Sequence, residues 1–121
     1  MVNNFHEAGI LVAAVQECRS KGIGDFEENG YDCFFSGLKK GGQSGVMLCI
    51  KQSGDVEVES VEYISDRIIF ADVSVHEVLI RFFSVYAPRN GCDDAAKDKF
   101  WYKLSAQVNK IPFVYIYGFY A

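Results

Sequence analysis

The feature that most constrains the fold of this chain is a series of short apolar runs separated by turn-forming residues. None of these runs reaches the roughly 10–12 residues at which a helix becomes the better interpretation. Glycine, asparagine, aspartate and proline lie between the runs, as expected where a chain reverses direction repeatedly. The series predicts about seven β-strands, at residues 10–15, 31–36, 45–51, 56–59, 67–73, 78–86 and 113–120.

The patterns within these runs predict how the strands are exposed. Residues 10–15 (ILVAAV) contain no polar side chain, which predicts a strand buried on both faces. Residues 56–59 (VEVE) alternate with a period of two, so one face of that strand meets solvent. Ser60 and Val61 shift the alternation, which indicates a bulge or a strand end. The short SVHE segment between two later runs suits a hairpin, and the glycines around residues 22–30 predict a loop.

One helix is predicted near the end of the chain. Asp93 and Asp94 suit its N-terminus, where carboxylates accept hydrogen bonds from free backbone N–H groups. Residues at helical spacing then form one apolar face, in which Phe100 and Trp101 are expected to pack in the core: Ala96, Phe100, Trp101, Leu104 and Val108.

The helix lies between two predicted strands, so the last strand is expected to run parallel to the one that ends at Tyr86. The residues from Asn109 to Pro112 end the helix. Together the patterns predict an α/β domain over residues 10–121, with residues 1–9 disordered or frayed.

Composition narrows the classes of function. The formal net charge is −4, which argues against a broad basic surface for binding nucleic acid.

No apolar stretch reaches the roughly 20 residues of a membrane-spanning helix, so no membrane partner is expected. The four cysteines lack a C-x-x-C pair and there are two histidines, which argues against a zinc knuckle. Reduced thiols in an intracellular protein are the preferred interpretation, and a secreted domain with two disulfides is the alternative.

The loop at residues 37–44 (GLKKGGQS) resembles a phosphate-binding loop but departs from it twice. Gln43 stands where that motif has its lysine, and a strand-like run follows where the motif needs a helix. The preferred interpretation is an exposed hairpin loop. A weaker functional interpretation is phosphate contact by Lys39 and Lys40.

Two single residues are candidates for chemistry. Glu17 follows a predicted buried strand, and ligands gather at such strand ends in layered α/β folds. A carboxylate there suits Mg²⁺, which takes one or two carboxylates and keeps some of its waters. Tyr86 ends another predicted strand, and its hydroxyl could orient a phosphate. For each residue the plainer alternative, a solvent-facing or rim side chain, stays open.

An ordered set of short motifs resembles a known family. The runs are AVQECR (14–19), SG (36–37) followed by GV (45–46), SDRII (65–69), SVYAP (84–88) and DKFW (98–101). Their order over residues 10–121 resembles the endonuclease/exonuclease/phosphatase superfamily. It is most similar to the branch of non-LTR retrotransposon endonucleases and craniofacial development protein 2-like sequences.

The resemblance implies a fold, an activity and two site residues. The family fold is a four-layer α/β sandwich of two packed sheets, of which this chain would form part. The family activity is Mg²⁺-dependent hydrolysis of phosphodiesters or phosphomonoesters, which implies nucleic acid as a partner. By the same resemblance Glu17 is a metal-binding residue, Tyr86 is an active-site residue, and Mg²⁺ is the cofactor, with weak binding expected.

The chain also departs from the family pattern. Where the family has G-D-F-N, residues 117–120 read Y-G-F-Y. Alignment on the phenylalanine puts Gly118 at the aspartate and Tyr120 at the asparagine; alignment on the glycine leaves the aspartate missing. The family's earlier asparagine strand and its final Ser-Asp-His motif are not found either, and neither His6 nor His76 matches that histidine by order.

These departures predict a truncated, degenerate copy of a nuclease domain that is catalytically impaired or inactive, and they leave open whether it is an enzyme at all. An active nuclease is one alternative. Another is a non-catalytic binding module that pairs with a partner through the apolar strand at residues 113–120. Exposed apolar surface is expected to favour self-association.

Overall fold

The computed structural model describes residues 11–42, 44–88 and 93–108, and the backbone of residues 115–120. The predictions made for residues 1–9, Gln43, Cys92 and Pro112 lie outside this part of the chain. The described residues form an α/β domain, as predicted. Its elements in chain order are β1 (Val12–Gln16), β2 (Ile23–Glu28), β3 (Tyr31–Ser36), β4 (Val46–Lys51), β5 (Val56–Ser65), β6 (Ile68–Val75), β7 (Val78–Val85), α1 (Asp94–Val108) and β8 (Tyr115–Tyr120).

The strands form two four-stranded sheets. The strand order is β1-β4-β3-β2 in the first sheet and β5-β6-β7-β8 in the second. All neighbouring strands are antiparallel except β7 and β8, which are parallel. The predicted parallel return of the last strand is therefore confirmed, with α1 lying between β7 and β8 in the chain.

The two sheets pack face to face through a shared apolar layer. The first sheet contributes Val46, Leu48 and Ile50 of β4, which alternate with residues that face the other way. The second sheet contributes residues from β6, β7 and the segment just after β7, namely Ile69, Ala71, Val73, Phe82 and Tyr86. Leu48, Ile69 and Val73 are completely buried. This layer is the main core and sets how the two sheets are aligned.

Helix α1 covers the other face of the second sheet, which gives three described layers. Phe100 and Leu104 pack there against Ile68, Phe83 and other residues of β6 and β7. The predicted N-terminal cap is confirmed, because the Ala96 backbone N–H donates to Asp93 Oδ1 at 2.7 Å. Within the described residues, no helix has the length and apolar character needed to cross a membrane.

The prediction that Trp101 belongs to the core is wrong. Its side chain is 49% exposed, whereas Phe100 is 5% exposed. Phe100 and Leu104 are one helical turn apart and point at the sheet, and Trp101 lies about 100° further around the helix. The indole instead lies nearly perpendicular to the Phe100 ring, with ring centroids 4.9 Å apart.

Strand β2 was predicted to be a loop, and this prediction is also wrong. Its sequence IGDFEE lacks an apolar alternation, and most of its side chains are exposed because β2 ends the strand order of its sheet. Backbone pairing with β3 forms the strand instead. Gly24 lies opposite Phe35, and a Cβ at Gly24 would lie 2.7 Å from the Phe35 ring. The glycine therefore lets the aromatic ring cover the strand.

Three finer expectations have mixed outcomes. β1 is partly exposed along its whole length, because it lies at the other end of the same sheet and is not buried on both faces as predicted. The predicted bulge is confirmed by a register shift between Val58 and Ser60, after which β5 continues to Ser65. The predicted hairpin is confirmed too, with His76 and Glu77 in the left-handed conformation that suits a two-residue turn.

An ion pair connects β6, β7 and α1. Asp72 and Arg81 are opposite each other in the register, and Arg81 Nε and Nη2 donate to the two carboxylate oxygens at 2.6 and 2.8 Å. Both side chains are 15% exposed. The Arg81 guanidinium also lies 4.1 Å from the centre of the Phe70 ring and donates to the Gln107 carbonyl at 3.4 Å. Such a two-point pair orients the arginine as well as neutralising it.

We expect Asp72→Asn to lower the free energy of unfolding by about 2–3 kcal/mol, because it leaves a partly buried guanidinium without its counter-charge. The measurement is urea denaturation followed by circular dichroism. Asp55→Asn is the matched control, since Asp55 pairs with His76 at 3.8 Å and both side chains are more than two-thirds exposed, at 67% and 72%. That control should change stability by no more than about 0.5 kcal/mol. Equal effects of the two substitutions would contradict the assigned role.

Candidate functional site

The two residues implied as site residues by the family resemblance contact each other directly. The Tyr86 hydroxyl donates a hydrogen bond to Glu17 Oε1 at 2.7 Å. Glu17 follows β1 in the first sheet, and Tyr86 follows β7 in the second, 69 residues further along the chain. Glu17 is exposed, whereas Tyr86 is 8% exposed and belongs to the core between the sheets. The pair therefore lies at the edge of the sandwich, with a buried phenol and an accessible carboxylate.

A fully buried serine holds the ends of β1 and β7 together. Ser84 Oγ donates to the Val15 carbonyl at 3.2 Å and accepts from Gln16 Nε2 at 3.2 Å. Serine is a polar residue in an otherwise apolar end of β7, so its burial requires these partners. These bonds hold Gln16 and Ser84 together. Glu17 is one residue beyond Gln16, and Tyr86 is two residues beyond Ser84.

Arg67 fixes the position of the tyrosine. Its guanidinium carbon lies 4.9 Å from the centre of the Tyr86 ring, and its Nη1 donates to the Tyr86 carbonyl at 3.2 Å. The Tyr86 backbone N–H in turn donates to the Arg67 carbonyl at 2.9 Å. A cation over the face of a tyrosine ring is an attractive arrangement. These three contacts restrain the ring and therefore the direction of its hydroxyl.

The loop that carries Glu17 has an unusual backbone held by two glycines. Glu17 and Arg19 have φ angles of 53° and 59°, in the left-handed region. The Cys18 N–H donates to the Gly45 carbonyl at 3.1 Å, and Gly45 itself has a φ of 121°. A Cβ at Gly37 would lie 2.0 Å from the Ser20 carbonyl oxygen, so only glycine fits there. The short SG and GV motifs thus shape the loop of the candidate metal-binding residue.

The turn between β5 and β6 joins the two sheets beside this loop. Ser36 Oγ donates to the Ser65 carbonyl at 2.7 Å, and the Gly45 N–H donates to the Asp66 carbonyl at 3.0 Å. Arg67 follows in the same turn. The first four motifs of the family resemblance, spread over residues 14–88, therefore meet at one end of the sandwich. The fifth motif lies on α1, where Phe100 packs in the core beneath the helix.

The donor set offers a limited site for a metal ion. Among the described residues, no group of three histidine, cysteine, aspartate or glutamate side chains has a geometry that could hold a metal. Glu17 supplies one carboxylate, which is the minimum that Mg²⁺ accepts when waters and substrate phosphate oxygens fill its other positions. Weak Mg²⁺ binding at Glu17 therefore stays a prediction of the family resemblance.

Cys33 and Cys49 are poor candidates for a nucleophile, because both side chains are completely buried. Cys18, Cys33 and Cys49 are free thiols, and the last two are buried opposite each other on β3 and β4. A hydrogen bond with Cys33, together with burial, raises the pKa of the Cys49 thiol above its usual range. A thiol kept protonated in this way is inert.

Sequence reasoning missed the residues that support the pair. Arg67 and Ser84 both lie within quoted motifs, yet neither was considered as a site residue. Ser84 could have been recognised from the sequence, since it is a single polar residue between Phe83 and Val85 at the apolar end of a strand. Lys39 and Lys40, considered as phosphate contacts, are exposed in the loop between β3 and β4. A strand follows that loop, so the structure does not place a helix N-terminus there for a nucleotide.

The last strand ends beside Tyr86. In the parallel register of β7 and β8, Gly118 lies opposite Phe83 and Tyr120 lies opposite Val85. The two positions that the resemblance aligns with the family's aspartate and asparagine are therefore on the neighbouring strand, near the same end of the sandwich. This end of β8 carries no carboxylate in its sequence, YIYGFY.

We expect Gly37→Ala to lower the free energy of unfolding by about 3 kcal/mol, because the added methyl group overlaps the Ser20 carbonyl and forces the Glu17 loop to move. Gly54→Ala is the matched control, since nothing lies within 4 Å of a Cβ at that position. The control should change stability by no more than about 0.5 kcal/mol. Denaturation midpoints measure both, and a Gly37→Ala protein as stable as the control would contradict the close approach.

Comparisons of this chain with protein-family models, with curated proteins and with solved structures found no match.

Proposed function

We propose that this chain is a degenerate copy of a Mg²⁺-dependent phosphodiester hydrolase domain of the retrotransposon endonuclease type, with its catalytic activity impaired. The observation that carries the proposal is the 2.7 Å hydrogen bond between Tyr86 and Glu17. The resemblance assigned these two residues separately, from motifs 69 residues apart. Their direct contact at the edge of the sandwich is what a shared site requires.

The roles of the two residues follow from their chemistry. Glu17 would hold Mg²⁺ through its carboxylate, and the ion would stabilise the charge that develops on the phosphate. Tyr86 donates to the carboxylate and so orients it. Its buried ring, fixed by Arg67, keeps the hydroxyl in place, and the single hydroxyl proton is given to Glu17.

The impairment follows from the sequence of β8. A hydrolase of this kind needs a group that takes a proton from the attacking water, and such a base contributes roughly 10²–10⁴-fold to the rate. The positions aligned with the family's aspartate and asparagine are Gly118 and Tyr120, which supply no carboxylate. The proposed domain therefore retains Glu17 and Tyr86 but lacks the base on β8, in addition to the family's asparagine strand and Ser-Asp-His motif.

The proposal extends to the finer fold. The two facing sheets, with α1 on the outer side of the second, supply three layers that suit the four-layer sandwich of the family. The parallel pairing of β7 and β8 across α1 also suits that topology. We propose the endonuclease/exonuclease/phosphatase sandwich as the architecture to which these layers belong.

A second candidate function is a binding module that acts through β8. This strand is last in the order of its sheet, and β7 is its one neighbour among the described strands. A strand at a sheet edge offers backbone N–H and C=O groups to a strand from a partner or from a second copy. The apolar sequence YIYGFY would supply side-chain contacts to such a partner.

We expect Mn²⁺ or Mg²⁺ to bind the wild-type protein weakly, and we expect Glu17→Gln to weaken that binding by more than about tenfold, because it removes the ligand charge. Isothermal titration in the presence of a non-hydrolysable phosphodiester measures the affinity. Circular dichroism of the same samples checks that the variant is folded.

Glu27→Gln is the matched control, since it makes the same change at an exposed position on β2. It should bind the metal as the wild type does. A metal affinity that is equal in all three proteins would contradict a site at Glu17 and would favour the binding module, which needs no metal.

Restoring the missing groups should raise activity. We expect the double variant Gly118→Asp with Tyr120→Asn to cleave supercoiled plasmid DNA in a Mg²⁺-dependent reaction at least about 100-fold faster than the wild type, because it returns a general base. Gly118→Asn with Tyr120→Asn is the matched control, with the same size and no carboxylate. A folded double variant that cleaves no faster than this control would contradict the alignment of β8 with the family motif.

A further inference from the structure

A cavity lies between α1 and the turn that joins β5 and β6. Its volume is about 220 Å³. Three cationic side chains, Arg67, Lys99 and Lys103, line it together with the carboxylate of Asp66. Its apolar lining includes Ile68 and Phe100. Arg67 also contacts the Tyr86 ring, so the cavity is next to the candidate site, but its lining does not include Glu17 or Tyr86.

The charge of this cavity is opposite to that of the chain. Three cationic side chains and one carboxylate give the lining a formal charge of +2 (3 − 1), whereas the whole chain carries −4. Lys99 and Lys103 are four residues apart on α1, so they project from the same face of the helix and repel each other. An anion bound between them would remove that repulsion.

The walls of the cavity are fixed by the core. Ile68 is completely buried and Phe100 is 5% exposed, and both belong to the cluster that packs α1 on the second sheet. Arg67 is held over the Tyr86 ring and bonded to the Tyr86 carbonyl. Because these groups are already held in place, less side-chain freedom is lost when a ligand binds.

We propose that this cavity binds a phosphate monoester that carries a small apolar or aromatic group. Near neutral pH such a monoester carries a charge of roughly −1.5 to −2, which matches the +2 of the lining. The phosphate lies against the lysines and Arg67, and the organic group lies against Ile68 and Phe100. The cavity volume of about 220 Å³ accommodates a phosphate and one ring.

The same chemistry could come from two sources. One is a small organic phosphate, and the other is the terminal phosphate of a nucleic-acid strand. Both present a dianionic phosphate joined to an apolar or planar group. The proposal stands apart from the proposed hydrolase function, since none of it depends on metal binding by Glu17.

The test is a titration of the ¹⁵N-labelled full chain with phenyl phosphate, in the absence of divalent metal, followed by NMR. We expect saturable shifts of the backbone amides of residues 65–68 and 96–103. Lys99→Gln and Lys103→Gln should each weaken binding on the order of tenfold, because each removes one charge-assisted contact. Lys97→Gln removes the same charge from the same helix outside the cavity and should leave the affinity unchanged.

Two matched ligands test separately the need for a doubly charged phosphate and the need for an aromatic group. Benzenesulfonate has the same shape with a single charge, and inorganic phosphate lacks the ring, so both should bind on the order of tenfold more weakly than phenyl phosphate. Equal affinity for benzenesulfonate would overturn the monoester assignment. Equal weakening by Lys97→Gln, or shifts confined to residues outside the cavity, would overturn the site itself.

Two versions of a short single-stranded oligonucleotide, with and without a 5′-phosphate, distinguish the sources. Tighter binding of the phosphorylated strand than of phenyl phosphate, lost in Lys99→Gln, assigns the site to a nucleic-acid end. Weaker binding of the phosphorylated strand assigns it to a small ester. Equal binding of both strands at the cavity would overturn recognition of a monoester. Glu17→Gln should bind phenyl phosphate as the wild type does, so a failure of the metal site and a failure of this cavity give different results.

Discussion

The packing of apolar side chains between the two sheets is the constraint on which the candidate site depends. Val46, Leu48 and Ile50 of β4 face the second sheet, and a shift of one residue would turn them to the opposite face. Their burial therefore fixes the alignment of the first sheet on the second. Because β1 pairs with β4, and β7 pairs with β6, this alignment also decides which strand ends meet. The polar residues that follow β1 and β7 are brought together as a consequence.

Hydrogen bonds then define the geometry at that end of the sandwich. Within the described part of the chain, no buried side-chain nitrogen or oxygen lacks a hydrogen-bond partner. Ser84 and Ser36 connect the sheets through backbone carbonyls, and Tyr86 reaches Glu17. Such bonds are strong in a region of low dielectric constant and costly to leave unmade. The rim of the core is therefore a structural joint that also fixes the position of the Glu17 carboxylate and the Tyr86 hydroxyl.

Two arginines stabilise contacts between elements, and two lysines line the cavity. Arg67 and Arg81 each lie over an aromatic ring and bond to nearby backbone or carboxylate oxygens, so they stabilise the contacts between elements. Lys99 and Lys103 instead line a cavity beside Arg67. An acidic chain with a local basic cavity next to a glutamate–tyrosine pair can attract a phosphate without a broadly basic surface. The proposed hydrolase site and the proposed monoester cavity would then share one structural support, Arg67.

The sequence by itself determined the elements that local patterns encode. Apolar runs located seven strands, Asp93 located the start of α1, and the intervening helix predicted that β8 returns parallel to β7. It did not reveal β2, whose polar sequence forms a strand because β3 supplies its pairing. It also predicted Trp101 in the core, whereas the orientation of α1 leaves that side chain partly exposed. The contact between Glu17 and Tyr86 was decided by the tertiary structure alone. Local periodicity determines which way a side chain faces, but only the packing of two sheets brings together residues 69 positions apart.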